Sequence, residues 1–559
     1  MRTGNLQPAS ERFAYRVAIF SILAGGAGLI GSWFTRAFAQ DDFFFSYVAW
    51  LRTTDLIPNK DYYLPNFTPL AEIASPLYRQ FPESMLPLDI SRALMLIPAV
   101  LLIVLVWKLT LALSGSKHWA AIATVITLWQ RHFMSRIADV RSDQIGAMFL
   151  LAAILVLVRE TPTPTLRRYW MSGLLYGAAI TATYKLGVAT PFITIAILII
   201  ARDKITSLIL HGAAAAIPLS VYFLWRVDVD GWPTVSTTWH EIMNSVDAGA
   251  YSDIRTMSFG SWFFDSTFIF SLIVLGAILS LLRMAIDRKP NTQGVYTLLT
   301  IGFLGLFLWL NPFFYPYNFV IFVPLLAPLI TGLSTLFDTQ GAAGLFPALM
   351  MTIASLAVLA GIPEMVESYI ADSTGQRSVV NWIWSATAED EAVFDWQGFH
   401  FGRPGTYHWW HYGGLQKKYE EGWYTVEDEI RKAQVTLIVG NYRLLALTAP
   451  DREFVEKHFV QIDRCLLVPG RLFRPGELAT ETKFETFLTR AEFQLTGVDP
   501  GSVRIDGAAL STDLLTLAAG SHSISTVSDP RSSATLVYYS PRRNSERPCP
   551  ADQLLPQHN

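Results

Sequence analysis

Long apolar runs recur through the first two-thirds of this chain, and nothing else in the sequence restricts its folding as sharply. A helix needs about 20 mostly apolar residues to cross hydrocarbon, because backbone groups left unpaired in lipid cost several kcal/mol each. Such runs lie at roughly 17–35, 91–112, 118–133, 144–158, 205–225, 261–282, 295–310, 317–336 and 343–362. A further stretch, 170–201, is about 32 residues long, too much for one span. Lys185 and Gly187 interrupt it near the middle, and we read two short helices turning there. The pattern predicts a polytopic α-helical membrane protein of about eleven transmembrane helices. A hydrophobic fraction of 51% against 16% charge fits a lipid solvent.

Orientation follows from the basic turns, since short loops rich in Lys and Arg stay cytoplasmic. Arg2, Arg12 and Arg16 precede the first run, and Lys117, then Arg159, Arg167 and Arg168, then Arg202 and Lys204, then Arg283, Arg288 and Lys289 mark later turns. The rule places the N-terminus in the cytoplasm of an inner or plasma membrane protein. An odd number of spans puts 363–559 on the other side, with loops 36–90, 131–143, 226–260 and 311–316. Ala37-Phe38-Ala39 resembles a signal-peptidase site, but the preceding run exceeds a signal core and Arg36 adjoins the site, so we read a first span.

After Pro363 apolar runs shorten and charges return, which divides the chain into a transmembrane domain, 1–362, an extracytoplasmic α/β domain, 363–475, and a small β-rich module with a mobile tail, 476–559. Val393–Trp396 and Val435–Val439 read as buried strands. Thr425–Gln434 and Asp451–Phe459 read as helices capped by Thr and Asp. Further on, Val503–Ile505 runs into an Asp506-Gly507 turn, and Leu515–Ser525 carries a Gly-containing turn, a pattern suiting a small sandwich of the sugar-binding type. Both cysteines, Cys465 and Cys549, fall in this region, where an oxidising compartment allows a disulfide without requiring one. A net charge of −3 with scattered arginines leaves no basic stripe for nucleic acid.

Chemistry-bearing residues gather at the outer ends of the runs. Asp41 and Asp42 are adjacent carboxylates where the first span leaves the membrane, suited to general-base work or to holding a cation, with a helix cap as the bland alternative. Asp61 and Tyr62 follow in a Pro-rich loop, then Asp89 and Arg92 at the second span. Arg136, Asp139, Arg141 and Asp143 lie between the third and fourth spans, against the positive-inside trend. Arginines held on that side suit an anion such as phosphate, or else pair with their neighbouring acids. His408-Trp409-Trp410-His411, with His400 nearby, has metal-like spacing, but its Gly- and Tyr-rich setting better suits aromatic residues facing sugar or the membrane interface.

Taken in order, these residues resemble the GT-C superfamily of polyprenyl-phosphate-sugar-dependent glycosyltransferases, which includes protein O-mannosyltransferases and lipid A aminoarabinose transferases. The likeness rests on the acidic pair Asp41-Asp42, the Asp-Tyr-Tyr-x-Pro-Asn-Phe-x-Pro stretch from Asp61, Arg92, and Arg-Ser-Asp at Arg141–Asp143. Gly173 and Gly177 leading into Tyr184-Lys185, and the turn from Pro312 to Tyr317, complete it. It implies that Asp41 is the base, assisted by Asp42. A sugar on a polyprenyl phosphate then passes, with inversion, to a hydroxyl of a glycan, lipid or protein acceptor. Arg92, Arg136, Arg141 or Lys185 would neutralise the departing phosphate, and Asp61, Asp143 and Tyr317 would line the substrate site. No cofactor is required, although a divalent cation is compatible with the acidic pair. Many relatives carry Asp-Glu at that pair, whereas Phe43–Phe45 follows here. Two other readings fit the same spans: a transporter or lipid-linked flippase, whose charges would sit near the midplane, and a non-catalytic glycan-assembly subunit.

Overall fold

A computed structural model describes residues 9–64, 66–159, 166–247, 267–288, 291–310, 315–337, 345–410, 413–475, 477–479, 481–526, 533–540 and 542. The chain forms two compact units, one of Met1–Arg36, Asn66–Leu70 and Leu88–Asp372, the other of Ala37–Pro65, Ala71–Pro87 and Ser373–Asn559. We refer to them as the membrane unit and the sheet unit. The first helices are α1 (Ala9–Trp33), α2 (Gln40–Leu51), α3 (Pro69–Gln80), α4 (Leu86–Ser114), α5 (Lys117–Trp129), α6 (Arg131–Arg136), α7 (Ser142–Val158), α8 (Leu166–Ala182), α9 (Thr190–Ile200), α10 (Lys204–Asp230) and α11 (Trp232–Asp247).

Among the described residues, seven helices are long and apolar enough to cross a membrane: α1, α4, α10, Thr267–Asp287, Thr292–Leu310, Pro316–Leu336 and Phe346–Ile370. Two shorter apolar helices, Ser142–Val158 and Tyr184–Ile200, accompany them. The chain is thus an integral membrane protein, while the larger expected number of eleven spans includes pieces too short to meet that length. The stretch 118–133 is one such case. It breaks at Gln130, whose extended backbone ends α5 and whose side chain caps α6 by accepting from Phe133 N at 2.7 Å. Every residue from His118 to Trp129 is buried, as befits a helix apolar all round and enclosed by its neighbours. The stretch 170–201 divides as its sequence predicts, with α8 and α9 separated by a 3-10 turn, Tyr184–Ala189.

Small residues let these helices touch backbone to backbone. A Cβ on Gly173 would stand 2.2 Å from His211 O, and one on Gly177 would stand 2.2 Å from Ala215 O. The Gly-x-x-x-Gly spacing therefore docks α8 on α10, the usual way for lipid-embedded helices to gain packing without a hydrophobic driving force. Trp129 joins three helices in a similar fashion, lying against Gly25 of α1 and Gly361 of Phe346–Ile370 and donating its Nε1 proton to Ser21 O at 2.9 Å. The expected boundary after residue 362 falls inside this last helix, which continues through Pro363 to Ile370.

Among the described residues of the sheet unit, eight strands follow the order β1-β2-β4-β9-β5-β8-β6-β7, and a ninth, β3, pairs with β4 off this path. They are β1 (Val393–Phe394), β2 (Leu437–Val439), β3 (Phe459–Asp463), β4 (Leu466–Phe473), β5 (Thr482–Thr496), β6 (Val503–Ile505), β7 (Ala508–Ala509), β8 (Leu514–Thr526) and β9 (Ala534–Tyr538). The expected break at 475/476 is bridged, because β4 before it pairs antiparallel with β9 after it. One continuous sheet replaces a separate sandwich. Asp506 and Gly507, at φ 50° and 81°, form the tight hairpin between β6 and β7. The expected turn within Leu515–Ser525 is absent: β8 is a single strand, and Gly520 at φ 137° lies where its register against β5 shifts by a bulge. Thr425 caps its helix by accepting from Asp428 N. Asp451 does not cap the helix Ala449–His458, whose cap position is Thr448. Its carboxylate instead accepts from Val426 N and Glu427 N at 3.1 and 2.9 Å, the first turn of the neighbouring helix. Cys465 is buried and disulfide-bonded; Cys549, Pro65, the tail after 542 and residues 311–314 lie outside the described residues.

Candidate functional site

One cluster of charge in the membrane unit gathers around a single carboxylate. Arg141 is the extended residue just before α7, so Asp143 occupies the first turn, at the positive end of the helix dipole. Asp143 Oδ2 accepts from Arg141 Nε at 3.1 Å and lies 3.0 Å from Nη2. Its Oδ1 accepts from Lys185 Nζ at 3.1 Å and from Thr183 Oγ1 at 3.2 Å. Thr183 is extended and Lys185 lies in the 3-10 turn between α8 and α9, so the helix break is what brings the ammonium to α7. The Tyr317 ring completes the group, its centroid 3.5 Å from the Arg141 guanidinium carbon and 4.6 Å from Lys185 Nζ. Three separate parts of the sequence meet here: Arg141 with Asp143, Lys185, and Tyr317.

Two cations converge on one carboxylate, and Arg141 and Asp143 are only 8% and 3% exposed. Such a group can take a phosphate through charge-assisted hydrogen bonds strengthened by the low surrounding dielectric. Helix α6, which carries Arg136, packs against the Pro316–Asn318 turn, and Arg136 pairs with Asp139 at 3.6 Å. Tyr184 donates its hydroxyl to Asn66 Oδ1 at 3.1 Å, so Asn66 also reaches this turn. Arg92 is placed differently. Its Nη1 donates to Arg36 O at 2.8 Å and its own carbonyl accepts from Trp33 Nε1 at 2.9 Å, which braces the end of α1 against α4.

The acidic pair opens α2 in the sheet unit, and its two members differ. Asp42 is fully buried, and its Oδ2 accepts from Ala39 N at 3.0 Å, the back-bond of a capping box. The cap reading of the sequence thus describes Asp42. Asp41 is half-buried beside it in the same turn. Asp61 is exposed and accepts from Ile57 N at 2.8 Å, closing a turn. The aromatic residues after the pair anchor α2: Phe43 stacks on Phe399 with centroids 4.1 Å apart, Phe44 packs on Trp409 and Trp410, and Tyr47 lies 4.3 Å from His400. Trp409 and Trp410 are therefore buried within the unit rather than turned outward. His408 pairs with Glu429 at 2.8 Å, and His411 lies outside the described residues. Among the described residues no three His, Cys, Asp or Glu side chains gather as a metal site.

Sequence reasoning passed over the loop that supports α2. Asp395 and His400 are both fully buried, with Oδ1 3.0 Å from Nδ1. Burial alone would push the Asp395 carboxyl up, but His400 and the Gln397 and Gly398 amides bring it below its ordinary value. Arg403, also fully buried, bonds Glu83, Thr387 and the carbonyls of Trp384, Thr387 and Gly402. The available signal was a run of ionisable and Gly residues, Asp395 to Gly405, directly after an apolar strand.

Neither a protein-family profile nor any curated protein sequence matches the chain. Solved structures do. ArnT from Cupriavidus metallidurans in the apo state is similar over 81% of this chain and 97% of its own length, at 11% identity and a TM-score of 0.51. The same protein bound to undecaprenyl phosphate is similar over 80% and 97%, at 10% identity and a TM-score of 0.53. The chain shares this membrane fold across most of its length, the architecture that the GT-C resemblance implies.

Proposed function

We propose that this protein is a membrane glycosyltransferase that moves a sugar from a polyprenyl-phosphate-linked donor to an acceptor hydroxyl on the extracytoplasmic side. The observation that carries the proposal is the convergence of Arg141 and Lys185 on Asp143 beside Tyr317, in a fold whose solved example binds undecaprenyl phosphate. Asp41 takes the acceptor's proton while the acceptor oxygen attacks the anomeric carbon from the side opposite the phosphate. The bond from that carbon to the phosphate oxygen breaks, its electron pair stays with the leaving polyprenyl phosphate, and configuration inverts. Arg141 and Lys185 stabilise the growing phosphate charge. Asp42, engaged as a cap, keeps the turn that presents Asp41.

Asp41→Asn preserves size and removes the proton acceptor. Product formation should fall at least about 100-fold, the lower scale for losing a general base, while binding of undecaprenyl phosphate persists. Mass spectrometry of cell-surface glycans from cells expressing each variant reads the product and names the sugar and acceptor. Full product from a folded, membrane-inserted Asp41→Asn protein would overturn the mechanism.

A further inference from the structure

The first turn of α2 is held by a residue from far along the chain, within the same unit. Arg443 Nη2 donates to Gln40 Oε1 at 3.0 Å, its Nη1 donates to Trp396 O at 2.9 Å, and its guanidinium carbon lies 4.0 Å from the centroid of the Trp410 ring. Gln40 directly precedes Asp41. The guanidinium is thus fixed by two carbonyl-type acceptors and one aromatic face, a use of its planar fork that a lysine cannot reproduce.

The placement of Arg443 is itself built in. Strands β1 and β2 are parallel neighbours, and both deliver the relevant residues just past their C-terminal ends, where parallel α/β sheets form their crevices. Beyond β2, Asn441 caps the short turn Tyr442–Ala446 by accepting from Arg443 N at 2.9 Å and donates its amide to Asp395 O. Beyond β1, Asp395 accepts from Gln397 N and Gly398 N. This leaves Trp396 between them at φ 55°. A bulky residue in that left-handed region is strained and persists only where its surroundings hold it, commonly at functional sites. The strained carbonyl is the one that receives Arg443.

We propose that Arg443 is a positioning residue that clamps the first turn of α2 through Gln40 and so sets the direction of the Asp41 carboxylate. One side chain beyond β2 thereby fixes the proposed base. The link to catalysis rests on the reading of Asp41 above, whereas the clamp itself does not.

Hydrogen exchange of the full-length protein in lipid nanodiscs, read by mass spectrometry, separates the two. Arg443→Ala should raise exchange in the peptide 40–47 by about 10-fold, since a local contact is lost rather than global stability, and leave the strand peptides 466–473 and 482–496 unchanged. Gln40→Ala should do the same, and the double variant should be no worse than either single one, because both remove one contact. Arg443→Lys should restore part of the protection. In cells, glycan product should fall by about 10- to 100-fold with Arg443→Ala, the scale of a misplaced catalytic group. Unchanged exchange at 40–47, or an equal rise across the strand peptides, would overturn the clamp. Asp41→Asn serves as the reference: it should abolish product without altering exchange at 40–47, and if it leaves product intact the base reading fails while the exchange result still decides the clamp.

Discussion

Arg141 and Lys185 are cations at the ends of apolar helices, where a charge is costly unless paired or used. That cost drew attention to Arg141 and Lys185 in the sequence, whereas Tyr317 entered only through the GT-C resemblance. If their use is phosphate binding, Arg141→Ala should weaken binding of undecaprenyl phosphate by about 10- to 100-fold, the worth of a hydrogen bond to a charged group. Arg283→Ala, at an exposed pair with Asp287, should leave it unchanged; equal titration curves for the two variants would return Arg141 to a structural pairing role. Arg92 shows the other outcome, since the same cost is met there by backbone carbonyl bonding inside the membrane unit. Only the family resemblance separated Asp41 from Asp42 in the sequence; their residue types alone could not, because capping depends on which member falls at the third helical position. Arg443 was illegible for a plainer reason. In a water-solvated domain it looks like any other of the 43 Lys and Arg residues, and its partner Gln40 is brought near only by folding.

Helices with a clear apolar run were readable, and the failures occur where a side chain competes with the backbone or a proline removes a donor. Gln130 ends α5 by capping the next helix. The run 317–336 is long and apolar enough to cross, as expected, although it changes from α-helix to 3-10 geometry after Leu326, with Pro324 and Pro328 each lacking an amide proton. In β8 the glycine that signalled a turn accommodates a bulge instead. The close approach of α8 and α10 gives an element-scale prediction. Gly177→Leu forces a side chain against the Ala215 carbonyl and should destabilise the detergent-solubilised protein by about 1–3 kcal/mol, the usual scale of overpacking. Gly305→Ala, where a Cβ meets nothing within 4 Å, should cost nothing or stabilise slightly. Chemical unfolding followed by tryptophan fluorescence compares them, and matching midpoints would mean that α8 and α10 can separate freely.

At the scale of the whole molecule, the basic turns predict sidedness. A reporter inserted after Arg159 should be active only in the cytoplasm, and one fused after Asp372 only outside it; the reverse pattern would move the proposed site to the wrong face of the membrane. Composition and run length revealed the division between lipid-solvated and water-solvated parts, but not that residues 37–65 and 71–87 fold with the C-terminal sheet, because pairing between distant segments leaves no local period to read. The sheet's strand order also governs how the protein can be made. Of the described strands β9 is translated last, yet it fills the gap between β4 and β5. Until the ribosome has passed Tyr538, two long edges stand open, ready to pair with a neighbouring nascent chain. A chain stalled before Ala534 would already hold its apolar helices but be unable to close its sheet, which makes it a target for proteolysis rather than a shortened working protein.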